Sequence, residues 1–171
     1  MRRKDREMDA AFALEVLKRA PYNTVSMLSA EGTPYAVPLS LVWTDEHTAY
    51  FHCAMEGYKL DCLKNDQRVY ISAVSKCRPT MSEDGKSFTL EYQSAGAEGT
   101  AAIVDDEKEK IEALRALCER FLPSHMDQFD AAVEHSLART MIVRITLTAP
   151  PIGKRKQIHS HCEAPSHSAH N

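Results

Sequence analysis

The sequence predicts an α+β fold in which helices flank an antiparallel β-barrel of about six strands. Three observations predict this class. Alternating, β-rich runs follow one another across short turns that contain Gly or Pro, as in hairpins. Helical patterns are set apart from the strands, at the start of the chain and after residue 105. The motifs of parallel nucleotide-binding folds do not occur in the sequence, which contains neither GxGxxG nor GxxxxGK(S/T).

The first predicted elements are a helix and a hairpin. Apolar residues at helical spacing, followed by Pro21, predict a helix over residues 7–19. Residues 22–29 and 35–43 are predicted strands, because both runs alternate and are rich in β-branched and aromatic residues. The segment 30–34 between them contains Gly and Pro, which provide the geometry of a turn.

The middle of the chain continues with strands and one short helix. A third strand is predicted at about 49–53, a helix at about 57–65 and another strand at 67–75. Residues 76–86 are polar and contain Pro and Gly, which predicts an exposed connection between strands.

Residues 87–94 and 99–104 return as strands. They are predicted as two passes or as one long bent strand weakened at Gly96 and Gly99. Glycine at these positions permits a bulge or the close approach of a ligand.

The last third of the chain predicts helices and a closing strand. Asp105 and Asp106 begin a helix that ends at Phe121. Its apolar stripe consists of Ile111, Leu114, Leu117, Cys118 and Phe121. A second helical segment is predicted at about 126–138. Residues 141–147 alternate and are predicted to close the barrel, with these side chains facing inward: Met141, Val143, Ile145 and Leu147.

Composition favours a single domain that binds small ligands. The 171 residues are 43% hydrophobic and 26% charged, as in ordinary globular domains. A formal net charge of −3 provides no general attraction for nucleic acid. No apolar stretch reaches the roughly 20 residues that cross a bilayer. We therefore expect one domain at residues 1–156, with no nucleic-acid partner and no membrane span.

Cysteine usage and the C-terminal residues bear on compartment and metals. The five cysteines include no CxxC pair, which favours reduced thiols in a cytoplasmic protein over a disulfide framework or a zinc site. Charged residues interrupt every apolar run near the N-terminus, so no secretory signal is predicted. Residues 157–171 are interpreted as a flexible, His-rich tail with no assigned metal site. The metal-binding alternative would use His159, His161, Cys162, His167 and His170.

One short stretch predicts an anion site. Residues 50–63 have the pattern of a strand, a turn broken by Gly57 and a helix. A helix N-terminus offers unpaired N–H groups and the positive end of the helix dipole. His52 and Lys59 flank this N-terminus seven residues apart, so a phosphate would fit there. The alternative is that His52 packs at the end of the strand and Lys59 is a solvated charge.

Six segments of the chain resemble the pyridoxamine 5'-phosphate oxidase-like superfamily of FMN-binding split barrels, and within it the nitroimidazole-resistance (NimA-like) group. The segments are 1–7, 32–39, 50–52 with 56–61, 92–94, 104–110 and 153–155. The resemblance covers about residues 1–156 and rests on the order and intervals of these segments. It implies an α+β fold built on an antiparallel split β-barrel.

The resemblance also implies a homodimer that binds FMN in a groove at the subunit interface. By position, Lys59 and His52 would hold the FMN phosphate, because Lys supplies a compact charge and His a donor. The remaining implied cofactor contacts are Val37, Pro38, Leu39 and Ser40 along the isoalloxazine, and Tyr92, Gln93 and Ser94 from a neighbouring strand.

Some of these residues also have structural interpretations. Ser94 is compatible with a turn cap, and Pro38 with a block to edge pairing. The chain departs from the pattern at Tyr58, where a basic or His residue is common, and at residues 95–97, where small residues replace bulkier ones. The Lys-Arg-Lys segment 154–156 is interpreted as a solvated strand exit.

The function implied by the resemblance is an FMN-dependent oxidoreductase. Electrons would pass from a reduced nicotinamide donor to a small acceptor, with a nitroimidazole or another nitroaromatic as the candidate. No catalytic residue is assigned, because His52 would be poorly placed to move protons while bound to a phosphate. One alternative is pyridoxamine-phosphate-type oxidation, for which a basic substrate-phosphate cluster is not apparent in the sequence. The other is a non-catalytic module that binds flavin or haem, with the His-rich tail as an accessory axial ligand.

Overall fold

The computed structural model describes residues 2–82 and 84–157, and within them one antiparallel sheet and four α-helices confirm the predicted α+β class. The described strands are β1 (Glu7–Met8), β2 (Asn23–Leu28), β3 (Pro34–Leu39), β4 (Val42–Trp43), β5 (Thr48–Ala54), β6 (Arg68–Met81), β7 (Phe88–Ile103), β8 (Thr140–Leu147) and β9 (Ile152–Lys156). The helices are α1 (Ala10–Arg19), α2 (Tyr58–Asn65), α3 (Glu107–Phe121) and α4 (Phe129–Ser136), with short 3-10 turns at Lys4–Arg6, Pro123–Gln128 and Leu137–Arg139.

The long strand β7 divides the sheet into two branches. The strand order is β3-β2-β6-β7-β8-β5-β4, and β9 joins β7 as a side branch that also pairs with β1. Residues 99–103 of β7 pair with β8, whereas residues 92–96 pair with β9. Strands β3 and β4 therefore form the two ends of the main path.

The main hydrophobic core lies on one face of the sheet, which we call the inner face. Helices α1 and α2 cover it, and α1 inserts Ala13, Val16 and Leu17. A second core lies on the opposite face of β5 and β8 and is covered by α3 and α4. Strand β8 contributes to both cores, because Val143 and Ile145 enter the main core while Ile142 enters the second. The predicted inward side chains of residues 141–147 are thereby confirmed.

The predicted connection at residues 76–86 is wrong over most of its length. Strand β6 continues to Met81 and pairs with β7 as far as Phe88, so the turn is confined to the residues between them. This two-stranded extension has mostly exposed side chains on both faces, so it lacks the apolar alternation that predicts a strand. Cross-strand partners stabilise it, among them Arg78 and Glu91, whose side chains form an ion pair at 2.5 Å.

Other boundaries differ from the prediction in smaller ways. Helix α1 begins at Ala10 rather than residue 7, because the Asp9 carboxylate caps it by accepting a hydrogen bond from the Phe12 N–H at 2.8 Å. The predicted strand 35–43 divides into β3 and β4, and β9 was not predicted. Residues 88–103 form one continuous strand, the second of the two alternatives, and the bulge lies in β6 at Ser75.

None of the helices within the described residues has the length and apolar character needed to span a bilayer. The predicted His-rich tail, residues 157–171, lies outside the described residues except for Gln157, and all five residues of the metal-binding alternative lie outside them.

Candidate functional site

Helix α2 begins with an N-terminus that no side chain caps. Its N-cap residue is Gly57, with φ 137° and ψ 161°, a conformation that is essentially restricted to glycine. The Gly57 carbonyl accepts hydrogen bonds from the N–H groups of Leu60 and Asp61. The N–H groups of Tyr58 and Lys59 have no partner among the described residues. Two donors and the positive end of the helix dipole are thus available to an anion.

Lys59, the second residue of α2, has no counterion among the described residues. Its side chain is half-buried, and no described carboxylate lies within ion-pair distance of it. It is close enough to Cys53 at the end of β5 to act on the thiol: burial raises the pKa of Cys53, and the Lys59 charge opposes that rise. A half-buried cation without a partner favours a bound anion at this position.

Tyr58 ties the N-terminus of α2 to the edge strand β3. Its ring meets the ring of Tyr35 edge-on, with centroids 5.0 Å apart and an interplanar angle of 78°. Leu60 and Leu63 anchor the other side of α2 in the main core. The departure from the family pattern at Tyr58 therefore has a structural role, because this contact brings the helix N-terminus next to β3.

Strand β3 and Ser40, the residue that follows it, carry the side chains predicted to line the isoalloxazine. Val37 and Leu39 are half-buried and pack against the main core, whereas Pro38 and Ser40 are exposed. Among the described strands, β3 pairs with β2 alone, so one side of its backbone is open. Pro38 suits such an edge strand. The structure thus brings the β3 edge, the N-terminus of α2 and Lys59 to one end of the barrel.

His52 does not share the face of β5 that leads to Lys59. Its side chain is exposed, and its cross-strand partner is Ile142 of the second core. Phe51 and Cys53, its neighbours in β5, point into the main core. The role of His52 as a phosphate ligand stays a prediction. The position of Lys59 supports such a role better than the position of His52 does.

Residues 92–94 lie on β7, well away from β3 within one chain. The register runs from Pro38 through Thr24 and Ser72 to Gly96, which is three strand spacings, or about 14 Å. Ser94 is two residues from Gly96 in β7, so it points to the same face of the sheet as Pro38. The structure therefore points Pro38 and Ser94 to one face, whereas Val37, Leu39 and Gln93 point to the other, and it does not bring the two predicted groups together in a single chain.

The face to which Pro38 and Ser94 point carries large apolar side chains that are exposed. We call it the outer face. It is the side of β3, β2, β6, β7 and β9 that lies away from the main core. Its large exposed side chains are Tyr22, Tyr70, Val74 and Ile152, each between 45% and 58% accessible. A depression of about 670 Å³ lies among them. A contiguous exposed apolar surface of this kind marks an interaction site.

A model of the family described as pyridoxamine 5'-phosphate oxidase matches residues 9–151. The chain belongs to this family. A search of curated proteins found no match. Family membership agrees with the branched antiparallel sheet and with the position of α2 at the end of β5.

Solved structures of this fold span several bacteria. A proposed 5-nitroimidazole antibiotic resistance protein from Bacteroides thetaiotaomicron is 23% identical to this protein, with a TM-score of 0.72. The match covers 86% of the present chain and 85% of the Bacteroides chain. The flavocytochrome Anf3 from Azotobacter vinelandii is 18% identical, with a TM-score of 0.73 and coverages of 87% and 68%. An FAD and haem binding protein from Mycobacterium smegmatis is 19% identical, with a TM-score of 0.72 and coverages of 89% and 73%. At these identities the similarity shows the fold.

The structure also reveals a cationic pocket between β6, β7 and β9, which the sequence analysis did not predict. It has a volume of about 570 Å³, and its charged lining residues are Lys76, Arg78, Glu91, Arg155 and Lys156. The basic residues were visible in the sequence, but in two segments that were interpreted as an exposed connection and a strand exit. Only the pairing of β6 and β9 with β7 brings them together.

Proposed function

We propose that this protein is an FMN-dependent oxidoreductase that passes electrons from a reduced nicotinamide donor to a small acceptor, with a nitroimidazole or another nitroaromatic as the acceptor class. The observation that carries the proposal is the unpaired Lys59 ammonium beside the uncapped N-terminus of α2. A flavin phosphate is a dianion that matches this set of donors. The donor set therefore fits the cofactor phosphate.

The residues of the chain bind and orient the cofactor. Lys59 and the N–H groups of Tyr58 and Lys59 hold the phosphate, and the open edge of β3 presents N–H and C=O groups to the polar side of the ring. Val37 and Leu39 support that edge from the main core. When bound, FMN supplies the two-electron transfer itself. The similar fold of the Bacteroides thetaiotaomicron protein supports nitroimidazole as an acceptor class.

The functional unit that we propose is a homodimer with the cofactor at the interface. Tyr92, Gln93 and Ser94 are implied cofactor contacts, yet Gly96, two residues along β7 from Ser94, already lies about 14 Å from Pro38 across the sheet. Pro38 and Ser94 both point to the outer face, whose large apolar side chains are exposed in one chain. A second copy packed on this face would cover those side chains and bring its own residues 92–94 toward β3.

The test is cofactor retention in a pair of lysine variants. Lys59→Ala should lower the FMN content after reconstitution and gel filtration by about tenfold or more, since a charge-assisted phosphate contact is lost. Lys64→Ala is the matched control, because Lys64 lies on the same helix in an exposed ion pair with Asp61. Equal FMN retention in both variants would overturn the phosphate site.

Catalysis is tested on the same wild-type sample. The flavin absorption band should bleach anaerobically on addition of NADH or NADPH and recover on addition of a nitroimidazole. A band that never bleaches, or a Soret band in protein purified without added cofactor, would instead favour a non-catalytic flavin- or haem-binding module. That second candidate is supported by the similar folds of a flavocytochrome and of an FAD and haem binding protein.

A further inference from the structure

The cationic pocket between β6, β7 and β9 concentrates positive charge in a chain whose formal net charge is −3. Four cations and one carboxylate line it, which gives the lining a formal charge of +3. Glu91 binds Arg78 at 2.5 Å, and the Lys156 ammonium contacts the Thr89 hydroxyl. Lys76 and Arg155 have no carboxylate within ion-pair distance among the described residues. The pocket therefore holds cations whose charge the described residues do not balance.

The unbalanced donors lie in one row across three strands. Lys76, Gln93 and Arg155 are register partners, so their side chains leave the same face of the sheet. The Gln93 carbonyl oxygen accepts a hydrogen bond from the Ser75 hydroxyl at 3.3 Å, which directs the amide N–H groups of Gln93 away from Ser75. An ammonium, an amide and a guanidinium thus present donors along about 10 Å. Because this row presents hydrogen-bond donors and few acceptors, it favours the binding of an anion over that of a cation.

The shape of the site favours an extended anion over a single phosphate. A second depression of about 310 Å³ adjoins the pocket and shares Arg155, Lys156 and Gln157 with it. Arg3, Arg6 and the carboxylate of Asp5, which pairs with both arginines, line this second depression, so its N-terminal part adds a formal charge of +1. Arg155 lies over the Phe12 ring, 5.8 Å from its centroid, which helps to hold the guanidinium between the two depressions. The combined site has the size and charge for a molecule with more than one phosphate group.

We propose that this pocket binds the phosphate groups of the dinucleotide electron donor, NADH or NADPH. The proposal rests on the proposed function for the identity of the ligand, and it assigns the donor to residues other than those of the flavin phosphate site. Tyr92 and Gln93 connect the two sites, because both are implied cofactor contacts and both line this pocket, whereas Ser94 lines the depression on the outer face. The donor phosphates would therefore lie next to the implied cofactor contacts of β7.

The test is direct binding, measured by isothermal titration of the purified full chain with NADH, NADPH and inorganic phosphate as separate probes. Saturable binding of a dinucleotide should weaken tenfold or more in Lys76→Ala and in Arg155→Gln, and it should weaken further as salt is raised. Lys76 is exposed, so its substitution leaves the fold intact. Lys64→Ala is the control and should bind as the wild type does.

A second readout uses Cys77, which lines the pocket and is the exposed thiol among the four described cysteines. Bound dinucleotide should slow its alkylation, measured by peptide mass spectrometry, and inorganic phosphate should protect it less. Absence of saturable dinucleotide binding, or binding unchanged in both Lys76→Ala and Arg155→Gln, would overturn the proposal. FMN content of these variants separates the two hypotheses, because it depends on Lys59 and should stay at the wild-type level.

Discussion

The Tyr70 hydroxyl lies where a side chain at residue 96 would begin: a Cβ built on Gly96 would stand 2.0 Å from the Tyr70 oxygen and 2.7 Å from the ring carbon that carries it. The sequence predicted that glycine at this position permits a bulge or a ligand approach. In the structure the bulge lies in β6 instead, and Gly96 permits the hydroxyl end of the Tyr70 ring to approach β7 closely; the approach of a ligand stays a prediction. The ring forms part of the exposed outer face.

We predict that Gly96→Ala displaces Tyr70 from the sheet. The cost in the free energy of unfolding should be about 1 kcal/mol, because the obstructing atoms belong to the end of a half-exposed side chain that can move. The test is a double-mutant cycle measured by urea unfolding. In the Tyr70→Ala protein, Gly96→Ala should change the free energy of unfolding by close to zero. Additive effects would show that the obstruction lies elsewhere.

Gly99 provides a contrasting case on the same strand. A Cβ there would stand 2.9 Å from the backbone oxygen of Thr146 in β8, which cannot rotate away. We therefore expect Gly99→Ala to lower the free energy of unfolding by about 2–3 kcal/mol, clearly more than Gly96→Ala. The measurement is the denaturation midpoint of the two variants at equal m-value. The reverse order would contradict the packing seen between β7 and β8.

Strands β8 and β9 show which parts of the fold can be predicted from the sequence and which cannot. Strand β8 was predicted well, because its alternating side chains enter the main core and periodicity reports burial. Strand β9 was missed because its residues are basic and its place depends on Gly153, where a Cβ would stand 2.8 Å from the Phe12 ring. That requirement is a long-range contact between β9 and α1, and no local pattern carries it.

The same distinction applies to the candidate site. The uncapped helix at Gly57 and the neighbouring Lys59 follow one another in the chain, so their spacing predicted an anion site. The cationic pocket joins Lys76 to Arg155 through β7, and the pairing that joins them arises only in the folded sheet. His52 is adjacent in sequence to the site yet lies on the other face of β5, because alternation along a strand reverses direction at each residue.

A partly buried polar network attaches α3 to the sheet. One oxygen of the Glu109 carboxylate accepts hydrogen bonds from the Tyr50 hydroxyl at 2.9 Å and from the Arg144 guanidinium at 2.6 Å. We expect Glu109→Gln to lower the free energy of unfolding by about 1–2 kcal/mol, because a charge-assisted hydrogen bond at a partly exposed site is lost. Glu112→Gln is the control, since Glu112 is exposed and pairs with Lys108 at 3.8 Å.

The same network makes the stability of the fold depend on pH in the alkaline range. Burial, followed by the hydrogen bond to Glu109 and then the charge of that carboxylate, raises the pKa of Tyr50 above its ordinary value of 10.0. A raised pKa means that this contribution to stability is complete below pH 10 and is lost as pH rises through the pKa of the folded state. Ultraviolet titration should show one tyrosine ionising late in the wild type. In Tyr50→Phe that late phase should vanish, and its persistence would assign the phase to another tyrosine.

The backbone at Gly57 is a separate test of the helix N-terminus. A Cβ at this position would have no heavy atom within 4 Å, so Gly57→Ala tests backbone conformation without a packing clash. Because φ is 137°, the substitution should lower the free energy of unfolding by about 1–3 kcal/mol or shift the first turn of α2. Either outcome should reduce FMN retention, measured by flavin absorbance after gel filtration. Retention at the wild-type level would show that the first turn does not contact the cofactor.

The outer face predicts the oligomeric state through a pair of matched substitutions. Ile152 on β9 and Leu122 after α3 are each 54% exposed, but only Ile152 lies on the outer face. Ile152→Glu should place a charge in the proposed dimer interface and yield a monomer by light scattering, with lower FMN retention because residues 92–94 of a second copy are lost. Leu122→Glu should remain dimeric with normal retention, since it changes an equally exposed side chain elsewhere. A monomeric wild type that still binds FMN tightly would contradict the shared site, because the open edge of β3 and Lys59 would then suffice without a second copy.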